Sequence, residues 1–286
     1  MIELGITLSL ACAFCTNVAF LCKHRGALEA PAVDFRHPGR SAAALFRSRW
    51  WSIGFGIAAF AWLLHIAALG VAPLSLVQML ISGGLVLIAF PAERWFGLEL
   101  GMRQWAGLLL SALGLAMLAV STDSSGSHAS YSIPAMAGFE VGAVAVGVAL
   151  LVGGRSDRPG PRHGAALGAA SGLLVGVSDV SIKALTGTVP GDPLSILGPW
   201  TMVAAVAGFL AFFALARGLQ TGEAIQVITL SSIAANCTAI LGGVLVFGDP
   251  MGNGTLEIVA RSAAFAAVIV AGALMPAPRH AEHGVA

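Results

Sequence analysis

The stretch 132–153, SIPAMAGFEVGAVAVGVALLVG, carries a single ionisable side chain, Glu140. Crossing the ~30 Å hydrocarbon layer as a helix takes about 20 mostly apolar residues, so this stretch is long enough to span a bilayer. Four others precede it, at 4–22, 50–70, 73–97 and 104–121, and four follow it, at 163–183, 196–216, 223–247 and 257–275. Little polar sequence is left to build anything else. The chain therefore reads as an all-α membrane protein with nine transmembrane helices, numbered here as spans 1 to 9.

Composition agrees. Hydrophobic residues make up 57% of the chain, charged residues 10%, and the mean hydropathy is +0.86, values that belong to an integral membrane protein. A net charge of +1 offers no large basic surface, so no nucleic-acid partner is expected. Span 1 is flanked by Glu3 rather than by a basic region, and Cys22-Lys23-His24-Arg25 is a poor cleavage site. It is therefore kept as a helix rather than read as a removed signal peptide.

Basic residues in the connections set the orientation, because Lys and Arg are retained on the cytoplasmic side. With nine crossings, 13 of the 15 basic residues fall on one face. They are Lys23, Arg25, Arg36, Arg40, Arg47 and Arg49, then Arg94 and Arg103, then Arg155, Arg158 and Arg162, and finally Arg217 and Arg279. Only Lys183 and Arg261 fall on the other face. The expected arrangement is a multi-pass protein of the plasma membrane with the N-terminus outside and the C-terminus in the cytoplasm.

The two halves are weakly alike. Lys23 ends span 1 as Lys183 ends span 6, and Trp50 opens span 2 as Trp200 opens span 7. Leu69 and Leu219 precede the small residues Ala72 and Gly222, and Phe96-Gly97 pairs with Phe247-Gly248. The expected organisation is a first repeat at 1–122, a linking span 5 with its connections at 123–160, a second repeat at 161–276 and a tail at 277–286. Four crossings return the chain to its starting side and span 5 carries it across, so the second four-helix unit is inverted. Inverted repeats are the architecture of many alternating-access transporters, with substrate held between the halves near the midplane.

These residues also carry a family resemblance. Trp50-Trp51 followed by Ala72-Pro73 and Leu76-Val77, then Ser178, Ser181, Ile182 and Lys183, then Phe247-Gly248-Asp249 resemble the drug/metabolite transporter (DMT, EamA-like) superfamily, and within it the NIPA-like, magnesium-transporting branch. The resemblance covers both halves. It implies a ten-helix transporter fold short of its first helix, and a divalent cation as cargo. Where that branch has an acidic residue and, three on, an Asn in span 2, this chain has Trp62 and His65. Mg²⁺ favours octahedral oxygen ligands including one or two carboxylates, and only Glu140 and Asp179 lie well inside a span. Weak magnesium transport is the expectation, and no metal ligand set is assigned.

Polar residues inside spans are the functional candidates, since an ionisable group in lipid faces a cavity or a partner. Glu140 is the candidate for proton coupling. It lies opposite the Gly138 and Gly142 stripe on a helix, and that small-residue face is expected to pack on a neighbour. Glu140 then points to a cavity or to a lateral hydrogen-bond partner. Gln226, Thr229, Ser232, Asn236 and Gly243 fall on one stripe of span 8, and Ser75, Gln78 and Ser82 form a shorter one on span 3. Either stripe lines a water-filled path or bonds to neighbouring helices. Trp62 and His65 share a face of span 2, where they bind substrate or simply pack. Asp179 and Lys183 are spaced as a structural ion pair. Gly164, Gly168, Gly172 and Gly176 form a packing groove, as do Gly107 and Gly114, and the Cys12/Cys15 spacing inside an apolar helix is read as filler.

Enzymatic signatures such as a nucleophile elbow, an HExxH helix or a phosphate-binding loop are absent from the sequence, and no cofactor is expected. The function expected is a secondary transporter moving a small metabolite, drug or cation by alternating access, proton-coupled through Glu140, with the cavity lined by spans 2, 3, 5, 7 and 8. Its partners are the substrate and the bilayer, and its state is monomer or homodimer. A NIPA-like magnesium transporter is the alternative, and a non-transporting membrane scaffold is the second.

Overall fold

Apolar backbone deprived of water must satisfy its own hydrogen bonds, and a helix does so within one segment. In the computed structural model, which describes residues 2–69, 71, 80, 81, 83–98, 100–120, 131–153, 161–188, 197–248 and 254–274, every regular element is accordingly helical. They are α1 (Ile2–Glu29), α2 (Pro38–Arg47), α3 (Arg49–Leu69), a 3-10 helix (Gly84–Ile88), α4 (Ala89–Phe96), α5 (Met102–Val120), α6 (Ile133–Gly153), α7 (Pro161–Thr188), α8 (Pro199–Thr221), α9 (Ala224–Phe247) and α10 (Thr255–Leu274). Five helices among the described residues are long and apolar enough to cross a membrane: Glu3–Glu29, Ile133–Val152, His163–Leu185, Pro199–Thr221 and Ala224–Phe247.

Two elements differ from the sequence reading. Span 3 was expected as one helix over 73–97, whereas 84–88 is a 3-10 turn that leads into the short α4. Two features account for it. The buried Asn17 amide of α1 donates to the Gly84 carbonyl at 2.8 Å, taking that acceptor from the α-helical ladder, and Pro91 lacks the N–H that would bond back to Leu87. The second difference is α2, which forms inside the Arg- and Pro-rich connection with Pro38 in its first turn, where proline's fixed φ favours a helix start. It covers the bundle with Ser41 and Leu45.

Packing divides the molecule into tightly associated groups. α1 lies along α3, and the close approach is made through Gly54, where an added Cβ would stand 2.8 Å from the Ala19 carbonyl oxygen. α7 packs on both α8 and α9, and its glycine stripe provides the seam as expected: Gly164 meets Gly222, Gly168 meets Val227, Gly172 meets Ser231 and Gly176 meets Thr238. α5 packs on α10, with Gly114 against Ala264 and Val268. One buried cluster, including Leu21, Ile88, Leu108, Phe213, Leu219, Ile225, Ile228 and Val268, runs through all of these groups.

The direction of the helices follows from contacts at their ends. His24, late in α1, bonds the Leu219 carbonyl late in α8 at 3.0 Å, while Gly164, at the start of α7, abuts Gly222. The end of α1 and the start of α7 therefore share one end of the bundle. Gln220 ties this end together. Its amide nitrogen donates to the Ala27 and Pro31 carbonyls at 2.9 and 3.0 Å, and its oxygen accepts from the Val33 N–H at 2.9 Å. Gln104 of α5 also bonds Glu223, the residue that precedes α9.

Candidate functional site

α6 begins where Ser132 accepts the Ala135 N–H through its hydroxyl at 3.4 Å, an N-cap that leaves the following apolar run free to continue as a helix. Glu140 comes eight residues into that run, ~12 Å from the start at 1.5 Å per residue. Its side chain is 4% exposed. Ser181 of α7 donates its hydroxyl hydrogen to Oε1 at 2.7 Å, while Oε2 is buried with no hydrogen-bond partner among the described residues. Met136, Val180, Ala184, Val246 and Phe247 form the surrounding apolar cluster, with Phe139 against it.

The glycine face of α6 does the opposite of what its spacing suggested. A Cβ added to Gly138 or to Gly142 would meet nothing within 4 Å, so this face looks away from the bundle, and Glu140 is the side turned inward. The helix is held instead by Glu140 and by Gly147, whose absent Cβ would stand 3.4 Å from Leu173 and Leu174. Small residues one turn apart promote close packing only when a neighbour is present. Here the bond to Ser181 and the burial of Met136 set the rotation of α6.

A lateral groove of about 720 Å³ runs from Glu140 along Val141, Val144, Ala145, Val148, Ala149 and Val152 of α6 to Val203 of α8. Its walls are apolar, and the carboxyl at one end is its acid. A carboxylate in such surroundings is costly when charged and unpaired, so the buried, unpaired oxygen calls for a proton, a cation or a donor. Single-oxygen anchoring by Ser181 fixes the carboxyl without saturating it.

The other candidates stand elsewhere. Trp62 is 64% exposed and His65 half-buried, both on α3, which packs on α1 and α2 rather than on α6. On α9, Gln226 and Thr229 are buried and Ser232 and Asn236 half-buried. The Asn236 amide donates to the Ser232 carbonyl of its own helix at 2.8 Å, and the Thr229 hydroxyl has no partner among the described residues. Glu140's level on α9 is marked by Gly242, which touches Phe139 and Val180. From there Asn236 is ~9 Å and Gln226 ~24 Å away along the helix, so the stripe reaches Glu140's level only at Gly243. Ser75, Gln78 and Ser82 lie outside the described residues.

The expected ion pair is a correction. Among the described residues the ion pairs within 4.0 Å are Arg25–Glu29 and His37–Asp34, and Asp179–Lys183 is not one of them. The Lys183 ammonium instead lies over the Phe247 ring, 4.5 Å from its centroid, a favourable cation–π placement. Asp179 is exposed together with Val175 and Ile182 on the same face of α7. No group of three His, Cys, Asp or Glu side chains that could hold a metal occurs among the described residues, and the four cysteines are free.

Three long-range polar contacts had no signal in the linear sequence: Ser181 with Glu140, Gln220 with the α1–α2 connection, and Gln104 with Glu223. Their partners are 41 to 193 residues apart, and spacing arguments reach only a few turns. Compared with known protein families, with curated proteins and with solved structures, the chain matches none.

Proposed function

We propose that this chain is a secondary transporter that moves a small solute across the plasma membrane by alternating access, with Glu140 carrying the coupling proton. The observation that carries the reading is Glu140 itself. It is buried in apolar surroundings with one oxygen held by Ser181 and the other unpartnered, at the end of an open apolar groove. A merely structural carboxyl would use both oxygens, since a buried polar atom left unpaired costs about 1–3 kcal/mol. A carboxyl that exchanges a proton for a solute needs one oxygen available.

The architecture in this reading is nine crossings in two inverted four-helix units joined by α6. Equivalent side chains in equivalent surroundings support it. Phe96-Gly97 and Phe247-Gly248 both end in a left-handed glycine, φ +63° and +69°. Near the first, Trp50 packs on Phe96 at 6.2 Å with the Arg25 guanidinium over its ring. Near the second, Tyr131 bridges Trp200 and Phe247, and Lys183 stands over Phe247. The two clusters occur at opposite ends of the bundle. At the spacing that relates Phe96 to Phe247, Gly114 corresponds to Phe265, next in sequence to Ala264, the residue against which Gly114 packs. An element touching its own counterpart is what a two-fold axis between the halves produces. A DMT-type arrangement of the two halves is proposed on the same grounds.

The test is transport in proteoliposomes with an imposed pH gradient, using a panel of divalent cations, amino acids and amphipathic amines first ranked by thermal shift. The wild type should drive at least one member of the panel uphill. Glu140→Gln should keep its fold and binding but lose gradient-driven flux, retaining only exchange. Full gradient-driven flux by a well-folded Glu140→Gln protein removes Glu140 from coupling. No flux of any compound that binds favours a scaffold.

A further inference from the structure

At the shared end of α1, α2 and α3 a pocket of about 460 Å³ is lined by Glu29, Ala30, Pro31, Arg47, Ser48, Arg49 and Trp50. Its charges are unbalanced. Glu29 is already engaged, accepting the Ser48 hydroxyl hydrogen at 2.9 Å and lying 3.8 Å from Arg25. Arg47 and Arg49 are exposed and have no carboxylate within 4.0 Å among the described residues. Two guanidinium groups facing one small cavity suit a phosphate, which they can bind through paired N–H groups.

Depth identifies the source of that phosphate. The pocket lies where the apolar run of α3 begins and that of α1 ends, which is headgroup level for helices that cross a bilayer. Large apolar side chains stand exposed immediately beside it: Leu28 at the end of α1, Phe46 on α2, and Ile53 and Phe55 on the first turns of α3. Phe46 and Phe55 form an edge-to-face pair at 5.3 Å, an apolar wall against which acyl chains can lie. A soluble anion would gain nothing from this wall.

We propose that this pocket is a binding site for an anionic phospholipid, its phosphate held by Arg47 and Arg49 and its chains lying against Phe46 and Phe55. The site does not depend on the transport reading, although its assignment to the cytoplasmic leaflet rests on the proposed orientation. A zwitterionic lipid brings its own cation and gains less from the two free arginines. Occupation also has a structural consequence. Ala30 and Pro31, which line the pocket, belong to the segment that Gln220 fastens to the end of α8, so a bound headgroup braces the junction between the halves.

The test uses the full chain, purified and delipidated in a neutral detergent, with thermal unfolding followed during titration. Phosphatidylglycerol should raise the melting temperature at concentrations where phosphatidylcholine and inorganic phosphate do not. Arg47→Gln/Arg49→Gln should need about tenfold or more phosphatidylglycerol for the same rise, since each basic residue near an anionic surface contributes about a factor of five. Arg36→Gln/Arg40→Gln, the same charge change on the same connection outside the pocket, should respond as the wild type does. Equal loss in both variants would mean a diffuse field rather than a site. An equal response to phosphatidylcholine, or to inorganic phosphate alone, would also overturn the proposal. If the pocket variant does not fold, a photoreactive phosphatidylglycerol on the wild type decides the matter: labelling must concentrate on residues 44–55, and labelling spread over the apolar surface refutes it.

Discussion

Replacing Gly168 by Ala and, separately, Gly138 by Ala makes the same chemical change in two glycine stripes of the same spacing, and the structure assigns them opposite outcomes. At Gly168 the new methyl would stand 2.7 Å from the Val227 carbonyl oxygen and 3.1 Å from its Cα. Both are backbone atoms of α9, so no side chain can swing aside. The helices must separate by several tenths of an ångström along a seam that also includes Gly172 and Gly176, and a gap of ~0.5–1 Å forfeits a quarter to a half of each dispersion contact. Overpacking of this kind costs about 1–3 kcal/mol, or roughly 5- to 150-fold in the folding equilibrium. At Gly138 the methyl would meet nothing within 4 Å, and the change should stay within about 0.5 kcal/mol of zero. The gain in helix propensity of about 0.8–1 kcal/mol known from soluble helices should not appear in full, because a membrane span remains helical when separated from its neighbours. The assay is unfolding of the purified protein by titration from a mild detergent into a denaturing one, read by tryptophan fluorescence. Equal destabilisation by the two variants, or a neutral Gly168→Ala, would refute the assignment of the α7 stripe to the α9 seam and of the α6 stripe to the outside.

Three further outcomes are expected. Single cysteines in a cysteine-free background should be labelled from outside at Ser124, and only after permeabilisation at Gly39, which has open space around it, and Ser156; the reverse pattern would remove the orientation and the inverted repeat together. Gln220→Leu leaves the Val33 N–H and the Ala27 and Pro31 carbonyls without their shared partner, so hydrogen exchange across residues 27–33 should accelerate, and unchanged protection would mean that this junction is held by something else. The Asp34 carboxyl is held below the usual carboxylate range by its hydrogen bond to His37, and further by the Arg36 N–H. A depressed folded value means its contribution is present above the unfolded pKa of ~3.9 and is lost as pH falls through the folded one. A nitroxide on Gly39→Cys, a position with open space around it, should therefore gain mobility only as pH falls below about 3.9. Asp34→Asn should abolish that pH dependence, and a pH response that survives Asp34→Asn would assign the effect to another group.

The seam along α7 has a consequence for motion. Close contacts from Gly168 to Gly176 hold α7 and α9 together, and α8 is joined to α7 by the Ser171 hydroxyl, which donates to the Ala211 carbonyl at 2.9 Å. These three helices move as one body if the bundle rocks. Glu140 is attached to that body through Ser181, so under the proposed function its carboxyl travels with it.

Much of the fold was legible in the sequence because the bilayer leaves so few solutions. A run of apolar residues in lipid satisfies its backbone as a helix, and every regular element among the described residues is helical, five of them long and apolar enough to cross a membrane. The glycine stripe of α7 was also legible, since three consecutive four-residue steps of glycine have little use other than close approach, and Glu140 stood out because a buried acid is expensive in lipid. What the sequence could not determine is which way each helix turns. Gly138 and Gly142 predicted an inward face by their spacing, yet whether small residues pack inward depends on a neighbouring surface, and here the bond from Glu140 to Ser181 of α7 and the burial of Met136 turn the other side of α6 inward. Lys183 was matched to Asp179 by helical periodicity, whereas tertiary packing brought Phe247 within reach and gave the ammonium an aromatic face instead. The 3-10 turn at 84–88 needed the Asn17 amide, 67 residues away in sequence, and the clasp at Gln220 needed carbonyls from the far half of the chain. Hydrophobic length is a local property and survives in one dimension. The rotation of a helix and the partner of a polar group are decided by contacts between distant segments, and only the tertiary structure holds them.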